Sequence, residues 1–133
     1  MDIPDWFSGL RSALDEKLGV ELLEVTPTRA SCRVPVEGNT QPFGLWHGGA
    51  SCVIAESLAS LAAAAEVGPD GSVTGVDINA THLRPATSGW LHGVATAIRI
   101  GGTLATYDVS LTDEAGGQVC AARITVFLKR ATR

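Results

Sequence analysis

Cysteine is scarce in this chain: Cys32, Cys52 and Cys120 are the only three, and no two have CxxC spacing. An odd count without that spacing points away from both a disulfide framework and a zinc module. Basic residues are also short, ten against fourteen acidic ones, for a formal net charge of −4. Broad nucleic-acid binding needs a basic face to neutralise phosphates, so that class is set aside. A small phosphate-bearing ligand held by a few local Arg or Lys residues is not. No apolar run is read as reaching the span of a membrane helix. The start, Met1-Asp2-Ile3-Pro4-Asp5-Trp6, is acidic where a signal peptide would be basic. The expected setting is cytoplasmic and reduced, with no nucleic acid, membrane or metal as partner.

What is present is the composition of a folded chain. With 45% hydrophobic and 18% charged residues, disorder is excluded. A length of 133 residues suffices for one domain with a sizeable core. No linker, repeat or low-complexity tract divides it, so one domain over residues 1–133 is expected. Ile3, Phe7, Leu10, Leu14 and Leu18 recur at helical steps, which predicts one opening helix with Pro4 in its first turn and Gly19 at its end. Residues 20–26 and 29–36 alternate and are rich in β-branched side chains, as strands are. A turn-rich loop over 37–47 leads to Gly48-Gly49 and a second helix to about Val67. The period then becomes two, predicting strands at about 73–84, 90–100, 104–112 and 118–129. The second helix carries apolar residues on nearly every side and is expected to be buried, with one antiparallel sheet wrapped around it.

Glu56 is the only charged residue between His47 and Glu66, in the middle of that helix. An isolated buried carboxylate is costly unless partnered, so either Glu56 faces a wet functional cleft or it lies with Ser60 on a thin solvent-facing stripe. His47-Gly48-Gly49 opens the helix. Free N–H groups there can bind developing negative charge, and glycine lets a ligand come close. The same glycines also suit a plain loop-to-helix turn, and His47 a cap. Gly48 and Glu56 are eight residues apart, which is about 12 Å along one helix. One carbonyl cannot be polarised by the first and attacked through the second over that gap. If both act, they come from antiparallel central helices of two subunits.

The run Gln41-Pro42-Phe43-Gly44-Leu45-Trp46-His47-Gly48-Gly49-Ala50-Ser51, followed by Ala55-Glu56-Ser57, resembles hotdog-fold thioesterases of the PaaI-like group. Within that group it is similar to hydroxybenzoyl-CoA and 1,4-dihydroxy-2-naphthoyl-CoA thioesterases and to the enterobactin-pathway proofreading thioesterase. Gly75 to Pro85 and Val119 to Thr125 extend the likeness over roughly residues 20–130.

The resemblance implies an α+β hotdog fold and hydrolysis of an acyl-CoA, with an aromatic or hydroxyaromatic acyl group and no cofactor. It makes Glu56 the nucleophile or general base and Gly48 N–H the group that polarises the thioester carbonyl. Gln41 and His47 would position substrate or water, Ser60 would hold the attacking water, and His82 would lie near the acyl pocket. It also implies a homodimer with sites between protomers, and pairing of dimers into a homotetramer.

Gly49 belongs to the same substrate-binding turn. Arg84, Arg99, Lys129 and Arg130 are candidate anchors for CoA phosphates, with Gly101-Gly102-Thr103 as a backbone cradle; ordinary solvated charges at strand ends would look the same. Trp46 and Trp90 could flank the acyl group or fill the core, and Ala59, Ala62 and Ala63 could shape its pocket. His92 and the cysteines read as structural. Two alternatives stand beside hydrolysis. A non-catalytic acyl-CoA binding module would have no use for Glu56, Gln41 and His47 together, and a hotdog dehydratase would carry a different His-acid motif.

Overall fold

The computed structural model describes residues 3–10 and 12–132, and its first departure from expectation lies in the opening helix. Met1, Asp2, Arg11 and Arg133, on which parts of the expected helix and acidic start fall, lie outside the described residues. In place of one helix there is a 3-10 helix over Asp5–Gly9 and a separate α1 over Ala13–Leu18. Helix-interior glycine is unfavourable, and Leu10 after it is extended. Ser12 then begins a new helix, its Oγ accepting from Asp15 N–H at 3.2 Å, as an N-cap does. Gly19 ends α1 where expected.

The remaining elements fall within a residue or two of the sequence expectation. They are β1 (Glu21–Thr26), β2 (Arg29–Pro35), α2 (Gly48–Val67), β3 (Ser72–His82), β4 (Trp90–Ile100), β5 (Leu104–Thr112) and β6 (Gln118–Lys129). The strands form one antiparallel sheet in the order β1-β2-β4-β5-β6-β3. It wraps around α2 in the hotdog arrangement, leaving β1 and β3 as its edges.

Between sheet and helix, Ile54, Leu58, Leu91, Tyr107, Leu111 and Ile124 are essentially inaccessible to solvent. Full burial of each large aliphatic side chain contributes about 1.5–3 kcal/mol, so this layer dominates the stability. The Tyr107 hydroxyl donates to Pro27 carbonyl at 2.7 Å, tying β5 to the turn before β2. Burial, with Glu66 nearby, pushes the Tyr107 hydroxyl up to about 12, so it remains a neutral donor.

Complete burial of α2 is corrected. Ala55, Ala59, Ala62 and Ala63 are wholly buried against the sheet. Cys52, Val53, Ser57, Ser60, Leu61 and Ala64 are only half-buried, and Glu56 is exposed. By length and composition alone α2 could also cross a membrane, contrary to the sequence reading; here its alanine-rich side is spent on the sheet. The alanines therefore set how closely helix and sheet approach. They do not shape a pocket on the open side.

Candidate active site

The open face of α2 and edge strand β3 together bound two cavities. The first, about 390 Å³, is lined by Gln41, Trp46, Gly48, His82 and Arg84, with Val119 at its wall. Gly48 begins α2, and its N–H has no acceptor among the described residues. Helix N-terminal N–H groups of this kind are left to ligands or solvent. The ring of His82 lies so close that a Cβ on residue 48 would fall 2.7 Å from its Nε2. Glycine is thus required here by the approach of β3 as well as by the turn. Gln41 directs its Oε1 into its own loop, accepting from Phe43 N–H at 2.5 Å and Leu45 N–H at 3.3 Å. Trp46 is buried, with Nε1 donating to Ser51 Oγ at 2.7 Å, so it is both core and cavity wall.

Glu56 lies in the second cavity, about 490 Å³, together with Ser57, Ser60 and Leu61 of α2 and Thr74 and Gly75 of β3. Ser12 and Asp15 close it from α1. The Glu56 carboxylate lies over Gly75, where a Cβ would come within 2.5 Å of Oε2. Glu56 and Ser60 do share a solvent-facing stripe, and that stripe is the floor of a cavity. Gly75→Ala is expected to push the carboxylate aside and lower kcat while leaving the fold intact. Steady-state kinetics beside circular dichroism would check this.

The structure does not place every candidate in these cavities. His47 is the N-cap of α2: its Nδ1 accepts from Gly49 N–H at 2.8 Å and its carbonyl from Ala50 N–H at 3.0 Å. His47 and Gly49 line a separate cavity with Leu18, Asn39 and Val53. In this conformation His47 holds the turn that carries Gly48. Arg84 stands beside the Gln41–Gly48 cavity. In the expected Gly101-Gly102-Thr103 cradle one donor is spent, while the N–H groups of Gly102 and Thr103 have no acceptor among the described residues. Gly101 N–H is bonded to Leu104 carbonyl at 2.8 Å, and Thr103 carbonyl accepts from Leu128 N–H at 2.7 Å. The carbonyls of Gly101 and Gly102 both accept from Arg130 at 3.0 Å. Arg130 in turn pairs with Glu66 at 2.9 Å, so its charge is already matched. Trp90 lines neither cavity of the site and stacks on the Arg33 guanidinium, 4.0 Å from the ring centroid.

Burial holds the Cys32 thiol up at about 12 and raises that of Cys120, so neither is a thiolate nucleophile. Among the described residues no three His, Cys, Asp or Glu side chains gather to hold a metal ion.

Asp15, Ser12, Ser57 and Gly75 were not singled out from the sequence. Ser12-Ala13-Leu14-Asp15 does have the capping-box spacing, and a glycine inside a strand often marks close approach of another group. Both signals were available, though neither says what the residue approaches.

Comparison with known proteins identifies the family. The thioesterase superfamily pattern matches residues 43–120, from the Gln41 loop through α2 to β6. A 1,4-dihydroxy-2-naphthoyl-CoA hydrolase of Listeria monocytogenes is 38% identical over 118 residues, 88% of this chain and 96% of that protein. The proofreading thioesterase EntH of Cronobacter turicensis is 34% identical over 113 residues, 84% of this chain and 82% of that one. The crystal structure of a thioesterase from Haemophilus influenzae superposes with a TM-score of 0.85 at 31% identity, covering 92% of this chain and 86% of that one. Matched over most of its length in sequence and fold, the chain belongs to the thioesterase superfamily and is a hotdog-fold thioester hydrolase.

Proposed function

We propose that two copies of this chain pair through β3 and hydrolyse an aromatic acyl-CoA at two composite sites. One observation carries this reading. Glu56 and Gly48 lie against the same edge strand, at Gly75 and His82 respectively, roughly 20 Å apart along it. An antiparallel pairing of β3 with a second β3, centred between Ile78 and Asn79, sets Gly75 opposite His82 of the partner subunit. It brings the Glu56 cavity of one copy against the Gly48 cavity of the other. The middle of β3 suits such a partner, with Val76 57% and Ile78 40% exposed on an unpaired edge. An exposed apolar edge strand is a liability unless it is covered. Leu104 and Phe127, opposed across β5 and β6 and also exposed, offer a patch through which dimers pair again.

In such a site the thioester carbonyl oxygen accepts from Gly48 N–H, which stabilises the charge that develops as the carbonyl is attacked. The Glu56 carboxylate either takes a proton from water as the water oxygen adds to the carbonyl carbon, or adds directly to give a mixed anhydride that water then opens. Either route breaks the carbon–sulfur bond, and the CoA thiolate leaves and takes up a proton. A thioester carbonyl is electrophilic and its thiolate a good leaving group, so the chemistry asks for no metal or cofactor. Ser60, one turn beyond Glu56 in the same cavity, is placed to hold the water. Arg84, which lines the Gly48 cavity, is the cation assigned to a CoA phosphate. Aromatic acyl groups are favoured by the match to the naphthoyl-CoA hydrolase and by the half-buried Leu61 beside Glu56.

Thiol release from a panel of benzoyl-, hydroxybenzoyl-, dihydroxynaphthoyl-, phenylacetyl- and straight-chain CoA esters tests the reading. Turnover concentrated on the aromatic esters is expected. Faster turnover of straight-chain esters would refute the aromatic assignment, and binding without turnover of any ester would favour a binding module.

A further inference from the structure

Resting on the hydrolase reading above, we infer that Asp15 is a specificity residue that accepts a hydrogen bond from a hydroxyl on the acyl group. Asp15 is the second carboxylate of the Glu56 cavity. It comes from α1, far away in sequence, and is half-buried. In a capping box the acidic residue at this position folds back onto the N-cap N–H. Here Asp15 is turned toward α2 instead, and its Oδ1 accepts from Ser57 Oγ at 2.8 Å. Its own N–H is held by Ser12 Oγ at 3.2 Å. Ser57 therefore fixes Oδ1, while Oδ2 has no hydrogen-bond partner among the described residues. Among the described residues no Lys or Arg lines this cavity.

A preset carboxylate with a free oxygen, in a cavity that already holds Glu56, has a definite preference. It accepts from a neutral hydroxyl, and it repels an acyl group that carries its own carboxylate. Around it the remaining lining residues are Ser12, Ser57, Ser60, Leu61, Thr74 and Gly75. This combination suits a flat apolar acyl body with a phenolic hydroxyl at its far end. The substrate class is then a hydroxyaryl thioester rather than a bare aryl or a dicarboxylic one.

The test is the ratio of kcat/KM for 2-, 3- and 4-hydroxybenzoyl-CoA to that for benzoyl-CoA, in wild type, Asp15→Asn and Asp15→Ala. A hydrogen bond to a charged group is worth about a ten- to hundredfold preference, expected in wild type for one ring position. Asp15→Ala should bring that ratio down to near unity, the loss falling on the hydroxylated ester, because the bare ring never used the bond. Asp15→Asn keeps an acceptor for Ser57 and should fall between. If both esters decline together in the variants, Asp15 merely anchors α1 and the inference is wrong. A wild type that hydrolyses aromatic esters without regard to the hydroxyl overturns this inference alone. A wild type confined to straight-chain esters overturns the aromatic reading with it.

Discussion

Glu56→Ala is expected to lower kcat for thioester hydrolysis by about 10²- to 10⁴-fold, the range typical of a positioned general base. The side chain is exposed, rests over Gly75, and has no salt-bridge partner among the described residues. Its removal should therefore move stability by no more than about 0.5 kcal/mol, as for other surface changes. This separates chemistry from folding: thiol release should collapse while the thermal midpoint stays put. Unchanged turnover in a folded variant would remove Glu56 from the mechanism. Glu56→Gln should behave like the alanine variant, because the amide preserves shape and hydrogen bonding but can neither take the proton nor attack.

The second large effect is rescue by mixing. Glu56→Ala disables one cavity, and the double variant Gln41→Ala/His82→Ala disables the other. Each should be nearly inactive alone. Subunits exchanged between them at equal concentration form about half heterodimers, each carrying one site with both halves intact, so about a quarter of wild-type activity should return. The gain over either parent would be tenfold or more. If instead both halves of a site belong to one protomer, mixing restores nothing, because every site retains one defect. Assay of the exchanged mixture, with size-exclusion chromatography to verify pairing, decides between the two. The expectation rests on the Gly48 and Glu56 cavities of a single chain sharing no lining residue among those described.

Wherever local pattern was strong, the structure follows it closely. The second helix runs Gly48–Val67 and the last four strands fall within a residue or two of the period-two runs, because helix and strand periodicities write themselves directly into spacing. Glu56 stood out for the same reason, as the one charge on an apolar helix. The incompatibility of Gly48 and Glu56 within one site also followed from helical rise alone. The opening helix misled because five apolar positions kept helical spacing across Gly9, while backbone cost and the cap at Ser12 divided it.

Only the tertiary structure could decide which side of α2 is open. Apolar residues lie all round the helix, so from the sequence Ala59, Ala62 and Ala63 could shape a pocket, whereas Ser60 and Leu61 do line one. Curvature of the sheet buried the first set and left the second half-buried on the open face. The pairs that make or spend a functional group are likewise distant in sequence. His82 lies over Gly48 and Gly75 under Glu56, Asp15 bonds Ser57, and Arg130 is neutralised by Glu66. Propensity and spacing act over a few residues, whereas these contacts depend on strand order and on where α1 docks. The chain alone thus determined its elements, its family likeness and its lead carboxylate; the fold decided which groups meet that carboxylate, since only packing brings such distant segments together.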